Sequence, residues 1–154
     1  MSFLFQKVGR SKAEIFKILK NGSTSAIAPG DAVVYDYTTA ADGIAVILPT
    51  TALLNMFAGC VAAGTTLAAS GSDGQYGKVQ IYGHHTAARW AGTSTPPGTP
   101  LVPSNATGEM VAGATHVTSI NTANSEIQFA YAGESSTHVT SLYSTAKVAF
   151  IRAM

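Results

Sequence analysis

From about Ser23 onward, short runs rich in Val, Ile, Thr, Tyr and Phe alternate with Gly, Pro, Asn, Asp and Ser. Runs of this length, separated by turn-forming residues, are typical of β-strands rather than helices. Strict alternation of polar and apolar residues is clearest in residues 78–82 and 126–131. The pattern predicts an all-β chain, folded as a single compact antiparallel β-barrel or β-sandwich with at most one or two short helices.

The predicted strands are residues 31–37, 43–48, 56–62, 77–83, 108–111, 126–131 and 146–152. Within residues 50–57, Leu53, Leu54 and Phe57 are also spaced as on a helix, and we predict one short helical turn there. Residues 87–103 contain four of the six prolines. Because proline cannot donate to a central ladder, this stretch is predicted to be a loop or an edge.

The first twenty residues concentrate the positive charge. Lys7, Arg10, Lys12, Lys17 and Lys20 face only one acidic residue, Glu14. A capping box from Ser11 to Glu14 and the stop signal Asn21-Gly22 favour a short helix, but the same residues suit an extended arm or a first strand. We therefore divide the chain into a basic N-terminal arm, residues 1–22, and a β-rich domain, residues 23–154.

The charge content limits the partners of this chain. Charged residues make up 11% of the 154 residues, well below the usual quarter or so, and the net charge is +1. Such a surface is typical of subunits packed against neighbours, which predicts a homo-oligomer. The small net charge gives no reason to expect nucleic acid or membrane as a partner. The N-terminus lacks the apolar run of a signal peptide, and we expect synthesis in a reducing cytoplasm.

The residues that carry chemistry in enzymes are scattered here. The histidines are His84, His85, His116 and His138. Adjacent histidines on a strand point to opposite faces, and no carboxylate follows at ligand spacing, so no metal site is predicted. Cys60 lies among apolar residues, where a buried small side chain is the usual outcome. The sequence predicts no catalytic residues, no enzymatic activity and no cofactor.

Arg89 and Trp90 form the one pair with an aromatic residue that we expect to be exposed, just before the proline-rich stretch. The indole has three uses in such a position: capping the core, anchoring an interface or stacking on a sugar. Capping the core is the reading that we favour. We keep Arg89 and Trp90 as a hypothetical interface.

Five segments carry a family resemblance: PGDAVVYDYTTAADGIAVILP, FAGCVAAG, GQYGKVQIYGHHTA, PGTPLVPSNATGEM and KVAFIRAM. They resemble the capsid decoration proteins, also called head-stabilising or cement proteins, of tailed bacteriophages. The recurring elements are carried by Gly30, Asp31 and Val33, by Gly59 and Ala62, by Gly77, Val79 and Gly83, and by Gly98 and Leu101. The resemblance spans residues 29–154.

The resemblance implies a structural virion protein on the capsid exterior that binds the major capsid protein and stabilises contacts between its subunits. It also implies frequent trimers and an N-terminal segment that reaches onto the capsid. The expected capsid contacts are Phe3, Leu4, Phe5, Lys7, Arg10 and Lys12. An alternative is a receptor- or glycan-binding module of a phage fibre or tail, with Tyr82, His84, His85 and Trp90 as a sugar platform. A small hydrolase on a β scaffold is a weaker alternative.

Overall fold

The computed structural model describes residues 4–8, 13–38, 40–91, 95–104, 108–112, 130–133 and 146–153. The strands are β1 (Leu4–Val8), β2 (Ala13–Asn21), β3 (Ala32–Tyr35), β4 (Ala45–Ile47), β5 (Phe57–Val61), β6 (Tyr76–Ala91), β7 (Pro100–Pro103), β8 (Met110–Ala112), β9 (Ala130–Ala132) and β10 (Ala146–Arg152). No helix occurs in the described residues. The all-β prediction is confirmed.

The strands form two closed circuits of hydrogen-bonded neighbours that share β6. One circuit runs β2-β4-β3-β5-β6 and returns to β2, and the other runs β6-β10-β9-β7-β8 and returns to β6. Tyr76–Tyr82 of β6 pairs with β2, and Tyr82–Arg89 pairs with β10. The pairs β2–β4 and β6–β8 are parallel and the other described pairs are antiparallel, so the sheet is mixed rather than purely antiparallel.

The buried apolar residues form two clusters. The first contains Leu19, Ile27, Val33, Val46, Ala58, Val61, Leu67 and Val79. The second contains Ala32, Phe57, Cys60, Ile81, Ala88, Trp90, Leu101, Met110, Ala130, Ala132, Ala149, Ile151 and Ala153. Strands β3, β5 and β6 each supply side chains to both clusters, so these three strands join the two parts of the core.

Two glycines allow strands to approach each other closely near the shared strand. Gly83 lies within β6 at φ +104°, where a Cβ would overlap the carbonyl oxygen of Ala13. Gly59 lies within β5 at φ +136°, where a Cβ would overlap the carbonyl oxygen of Gln80. Both backbone conformations are unfavourable for other residues, and the space for a side chain is also missing.

The N-terminal segment is extended where the structure describes it. Ala13–Asn21 forms β2, which pairs with β1, β4 and β6, and the side chain of Leu19 is fully buried. The short helix favoured by the local capping signals does not form there. Cross-strand pairing and burial outweigh local propensity, which is a weak determinant of conformation.

Residues 50–57 contain turns instead of the predicted helical turn. Leu53 N–H donates to the Thr50 carbonyl at 3.0 Å, and Met56 N–H donates to the Leu53 carbonyl at 2.9 Å. Phe57 already belongs to β5 and is 6% exposed. The short-helix prediction is wrong because the segment is too short to propagate a helix before the strand begins.

The proline-rich stretch contains more strand than predicted. Strand β6 continues to Ala91, and Pro100–Pro103 forms β7, which pairs with both β8 and β9. The prediction of a loop or an edge is wrong for these residues. Pro100 and Pro103 occupy the two ends of β7, which leaves Leu101 and Val102 to supply the interior of the ladder.

Candidate interaction site

Strand β1 is the end of the sheet. Among the described strands it is the one with a single neighbour, whereas every other strand pairs with at least two. Its register with β2 is continuous from Leu4 opposite Lys17 to Val8 opposite Ala13. Backbone N–H and C=O groups along the far side of such a strand are available to a further strand. We call this far side the β1 edge.

Half of the six expected capsid contacts belong to β1. Leu4, Phe5 and Lys7 belong to β1, while Phe3, Arg10 and Lys12 lie outside the described residues. Lys7 therefore belongs to a strand whose second edge is not covered by any described strand. Their role in capsid binding stays a prediction.

A second polar feature is the ion-pair cluster around Arg89. Its Nη1 lies 2.6 Å from Oδ1 of Asp31, and its Nη2 lies 3.5 Å from Oε1 of Glu109. The other oxygen of Asp31 accepts the backbone N–H of Ala28 at 2.9 Å. Burial raises the pKa of Asp31, while the Ala28 hydrogen bond and Arg89 oppose that shift. The guanidinium thus links β6 to the turn before β3 and to the residue before β8.

Trp90 lies in the second apolar cluster and has no exposed surface. The favoured sequence interpretation, that the indole caps the core, agrees with this position. An interface anchored by an exposed Trp90 does not. Arg89 keeps a side chain that is 31% exposed, so of the predicted pair it is the residue that reaches the surface.

His85 joins β5 to β6 through its ring. The backbone N–H of Ala87 donates to Nδ1 at 3.1 Å, so Nδ1 carries no proton. Nε2 is then the protonated nitrogen, and it donates to the carbonyl of Val61 at 2.9 Å. Burial lowers the pKa of His85, and the Val61 hydrogen bond and the charge of Glu14 oppose the shift. The histidine is a neutral structural link, a role that its sequence neighbours do not indicate.

A shallow pocket of about 280 Å³ lies beside β2 and β6. Its walls are formed by Glu14, Phe16, Ala62, Ala63, Thr65, Lys78, Gln80, His84, His85 and Thr86. It therefore brings together His84, His85 and Glu14 from different parts of the sequence. Among the described residues, no group of three His, Cys, Asp or Glu side chains is placed to hold a metal ion.

Cys60 of β5 is fully buried in the second apolar cluster, as the sequence predicted. Burial raises the pKa of its thiol, and the nearby Asp31 adds to the shift. A thiol in this environment stays protonated and is a poor nucleophile.

The predicted sugar platform is not assembled. Trp90 is fully buried, and His85 is 1% exposed with both ring nitrogens bonded to backbone. Tyr82 is half-buried against Phe150, with ring centroids 5.2 Å apart in an edge-to-face arrangement. Of the four residues, His84 and Tyr82 alone retain partial exposure. Side chains that alternate along one strand cannot form one flat surface. His116 and His138 lie outside the described residues.

Among the described residues there is no helix long and apolar enough to cross a membrane. Comparisons with protein-family models, with curated proteins and with solved structures find no match.

Proposed function

We propose that the chain is a structural virion protein that binds the outer surface of a tailed-phage capsid and stabilises contacts between major capsid protein subunits. The observation that carries the proposal is the β1 edge, a regular strand with one neighbour among the described strands. A strand edge that has no neighbour binds an extended segment of another protein through backbone hydrogen bonds.

The charge distribution supports docking at this end of the molecule. Lys7 lies in β1, and Arg10 and Lys12 belong to the connection between β1 and β2. The rest of the chain carries a slight net negative charge, since the total is +1 and the first twenty residues hold five cations against Glu14. A basic strand edge favours an acidic partner surface and steers its approach.

The positions of the family-like glycines also support a scaffold role. Gly59 and Gly83 permit close backbone contact at β6, and Gly30 adopts φ +82° in the turn before β3. Such positions determine how strands cross, and they supply no reactive group. The resemblance therefore rests on residues that build the two circuits, as expected for a protein that acts by binding.

The buried polar groups support the same conclusion. Asp31 and Glu109 share the guanidinium of Arg89, and His85 bonds to two backbone groups. Each of these side chains holds one part of the chain against another. A capsid-bridging protein needs this rigidity, because a preorganised surface loses less entropy on binding.

Purified protein added to undecorated shells of the matching major capsid protein tests the proposal. We expect the full chain to bind with a fixed copy number per capsid protein and to raise the temperature at which shells disassemble. Deletion of residues 1–12 removes β1, and we expect the remaining body to stay folded by circular dichroism but to bind far fewer sites.

A matched pair of charge reversals separates the β1 edge from general electrostatics. Lys7→Glu changes a residue in β1, and Lys78→Glu makes the same change at an exposed position of β6. We expect lower shell occupancy for Lys7→Glu and unchanged occupancy for Lys78→Glu. Full occupancy by the 1–12 deletion would show that β1 is not the capsid contact. A full chain that leaves matching shells bare would rule out the proposed function.

A further inference from the structure

We infer that, away from the capsid, two copies of this chain pair through their β1 edges into a two-fold symmetric dimer. Both circuits close on β6, so among the described strands β1 alone offers a full-length strand edge. Unprotected edges associate with other strands unless the sequence blocks them.

The sequence of β1 contains few of the features that block edge pairing. The strand reads LFQKV, with no proline or glycine and with one charged residue, Lys7. Its register against β2 shows no bulge from end to end. Proteins blunt their edges with prolines, bulges or several charges, and β1 relies on a single lysine.

The same five residues are complementary to themselves in one antiparallel register. Pairing centred on Gln6 sets Leu4 opposite Val8 and Phe5 opposite Lys7, and Gln6 faces its own copy. Apolar residues meet each other, two amides meet, and no like charges are opposed, which is the favourable arrangement for cross-strand pairs. Pairing centred on Lys7 would oppose two lysines. Because β1 is complementary to itself in this register, a second copy of the chain fits the β1 edge.

Charge near β1 makes the proposed pairing dependent on salt. The net charge of the whole chain is only +1, but the first twenty residues hold five cations against Glu14. The two basic ends therefore repel each other at close range, and we expect added salt to strengthen the dimer. A pairing in which each copy contributes the same residues is isologous and closes after two copies, so it produces a dimer and not a fibre. The dimer covers the edge that would otherwise recruit other strands.

The first experiment measures the mass of the assembly and locates its two-fold axis. Sedimentation velocity of the full chain over a range of micromolar concentrations should show a shift from monomer to twice that mass. Gln6→Cys should then give a disulfide-linked dimer under mild oxidation, because residue 6 faces residue 6 across the two-fold axis. Cys60 is fully buried and does not interfere.

Lys7→Cys is the matched control. In the proposed register the two copies of residue 7 are diagonal neighbours, about 7–8 Å apart, beyond disulfide reach. We expect Lys7→Cys alone to stay unlinked, and a mixture of Lys7→Cys with Phe5→Cys protein to form the mixed dimer. A monomer at all concentrations, a trimer, or equal linking of Gln6→Cys and Lys7→Cys would overturn the inference.

Capsid binding should compete with this dimer, and that step rests on the proposed function. Reduced Gln6→Cys protein bound to shells should no longer form the disulfide on oxidation. The two proposals fail separately. If the protein forms a dimer linked through residue 6 but leaves matching shells bare, the inferred dimer stands and the capsid function is rejected. If the protein is a strict monomer that decorates shells, the dimer is rejected and the capsid function stands.

Discussion

The ring of His85 accepts the backbone N–H of Ala87 at Nδ1, at 3.1 Å, and this bond requires an unprotonated nitrogen. The same ring donates from Nε2 to Val61 of β5. A second proton on the imidazole, at Nδ1, would place the N–H groups of His85 and Ala87 opposite each other with no acceptor between them. His85 is only 1% exposed, so water cannot easily relieve this conflict. The contact between β5 and β6 therefore depends on His85 staying neutral.

We therefore expect the protein to lose stability as the pH falls from 7 to 5. The pKa of His85 is lowered in the folded protein, so the unfolded chain binds the extra proton first. Stability rises with pH wherever the unfolded state binds more protons, so this contribution is complete above the ordinary histidine pKa and declines below it. Thermal unfolding at pH 7, 6 and 5 measures the effect.

The histidine pair provides the control for that experiment. His85→Gln should flatten the decline in melting temperature between pH 7 and 5, whereas His84→Gln should leave it in place. Equal pH dependence in wild type and His85→Gln would contradict the proposed role of the ring.

The Asp31 carboxylate is expected to matter more than Glu109 for stability. Its two oxygens accept from Arg89 and from Ala28 N–H, and the isosteric Asn can accept at only one of these positions. Asp31→Asn should destabilise the protein by about 1–3 kcal/mol. Glu109→Gln, which alters a 3.5 Å contact, should cost about 1 kcal/mol or less. Chemical denaturation of both variants checks the order, and a larger loss for Glu109→Gln would contradict it.

Gly83 is expected to tolerate no side chain. Gly83→Ala combines a positive φ with overlap against the Ala13 carbonyl, and should destabilise the fold by about 3 kcal/mol or more. Gly71→Ala is the control, because Gly71 has φ +85° and nothing within 4 Å of a Cβ. That change should cost only about 1 kcal/mol from backbone strain. Similar losses in the two variants would mean that strand contact at Gly83 is not the reason for glycine.

The fluorescence of Trp90 monitors the packing of the second apolar cluster. As the single tryptophan of the chain, and fully buried, it should fluoresce at short wavelength and resist quenching by acrylamide in the native protein. Unfolding should shift the emission to longer wavelength. Trp90→Ala should cost about 3–5 kcal/mol through the cavity that it leaves. Ready quenching in the native state would place the indole at the surface instead.

Several features of the fold were predictable because they depend on local patterns. The strand of residues 146–152 matches β10, and the strands around Val33, Val46 and Cys60 are found close to their predicted bounds. Two-residue alternation and turn residues encode these elements directly. The burial of Cys60 followed from its apolar neighbours, whereas for Trp90 core capping was one of three uses that the sequence allowed.

The N-terminal segment and the middle of the chain were less predictable, because their neighbours are distant in sequence. A helix was locally favoured for residues 11–22, but pairing with β6 makes Ala13–Asn21 a strand. Residues 84–91 offered no clear strand signal beyond Gly83, yet β6 continues through them because β10 pairs alongside. Residues 126–129 of another predicted strand lie outside the described residues, and Ala130–Ala132 forms β9.

The sequence by itself determined the class of the fold, since period-two runs and turn residues leave no pattern for long helices, and it predicted the burial of Cys60. Only the tertiary structure decided that β6 serves two circuits and that β1 has one neighbour among the described strands. It also decided that Arg89 meets Asp31, 58 residues away, and that His85 meets Val61, 24 residues away. These contacts depend on how strands close around a core, which local propensity does not encode.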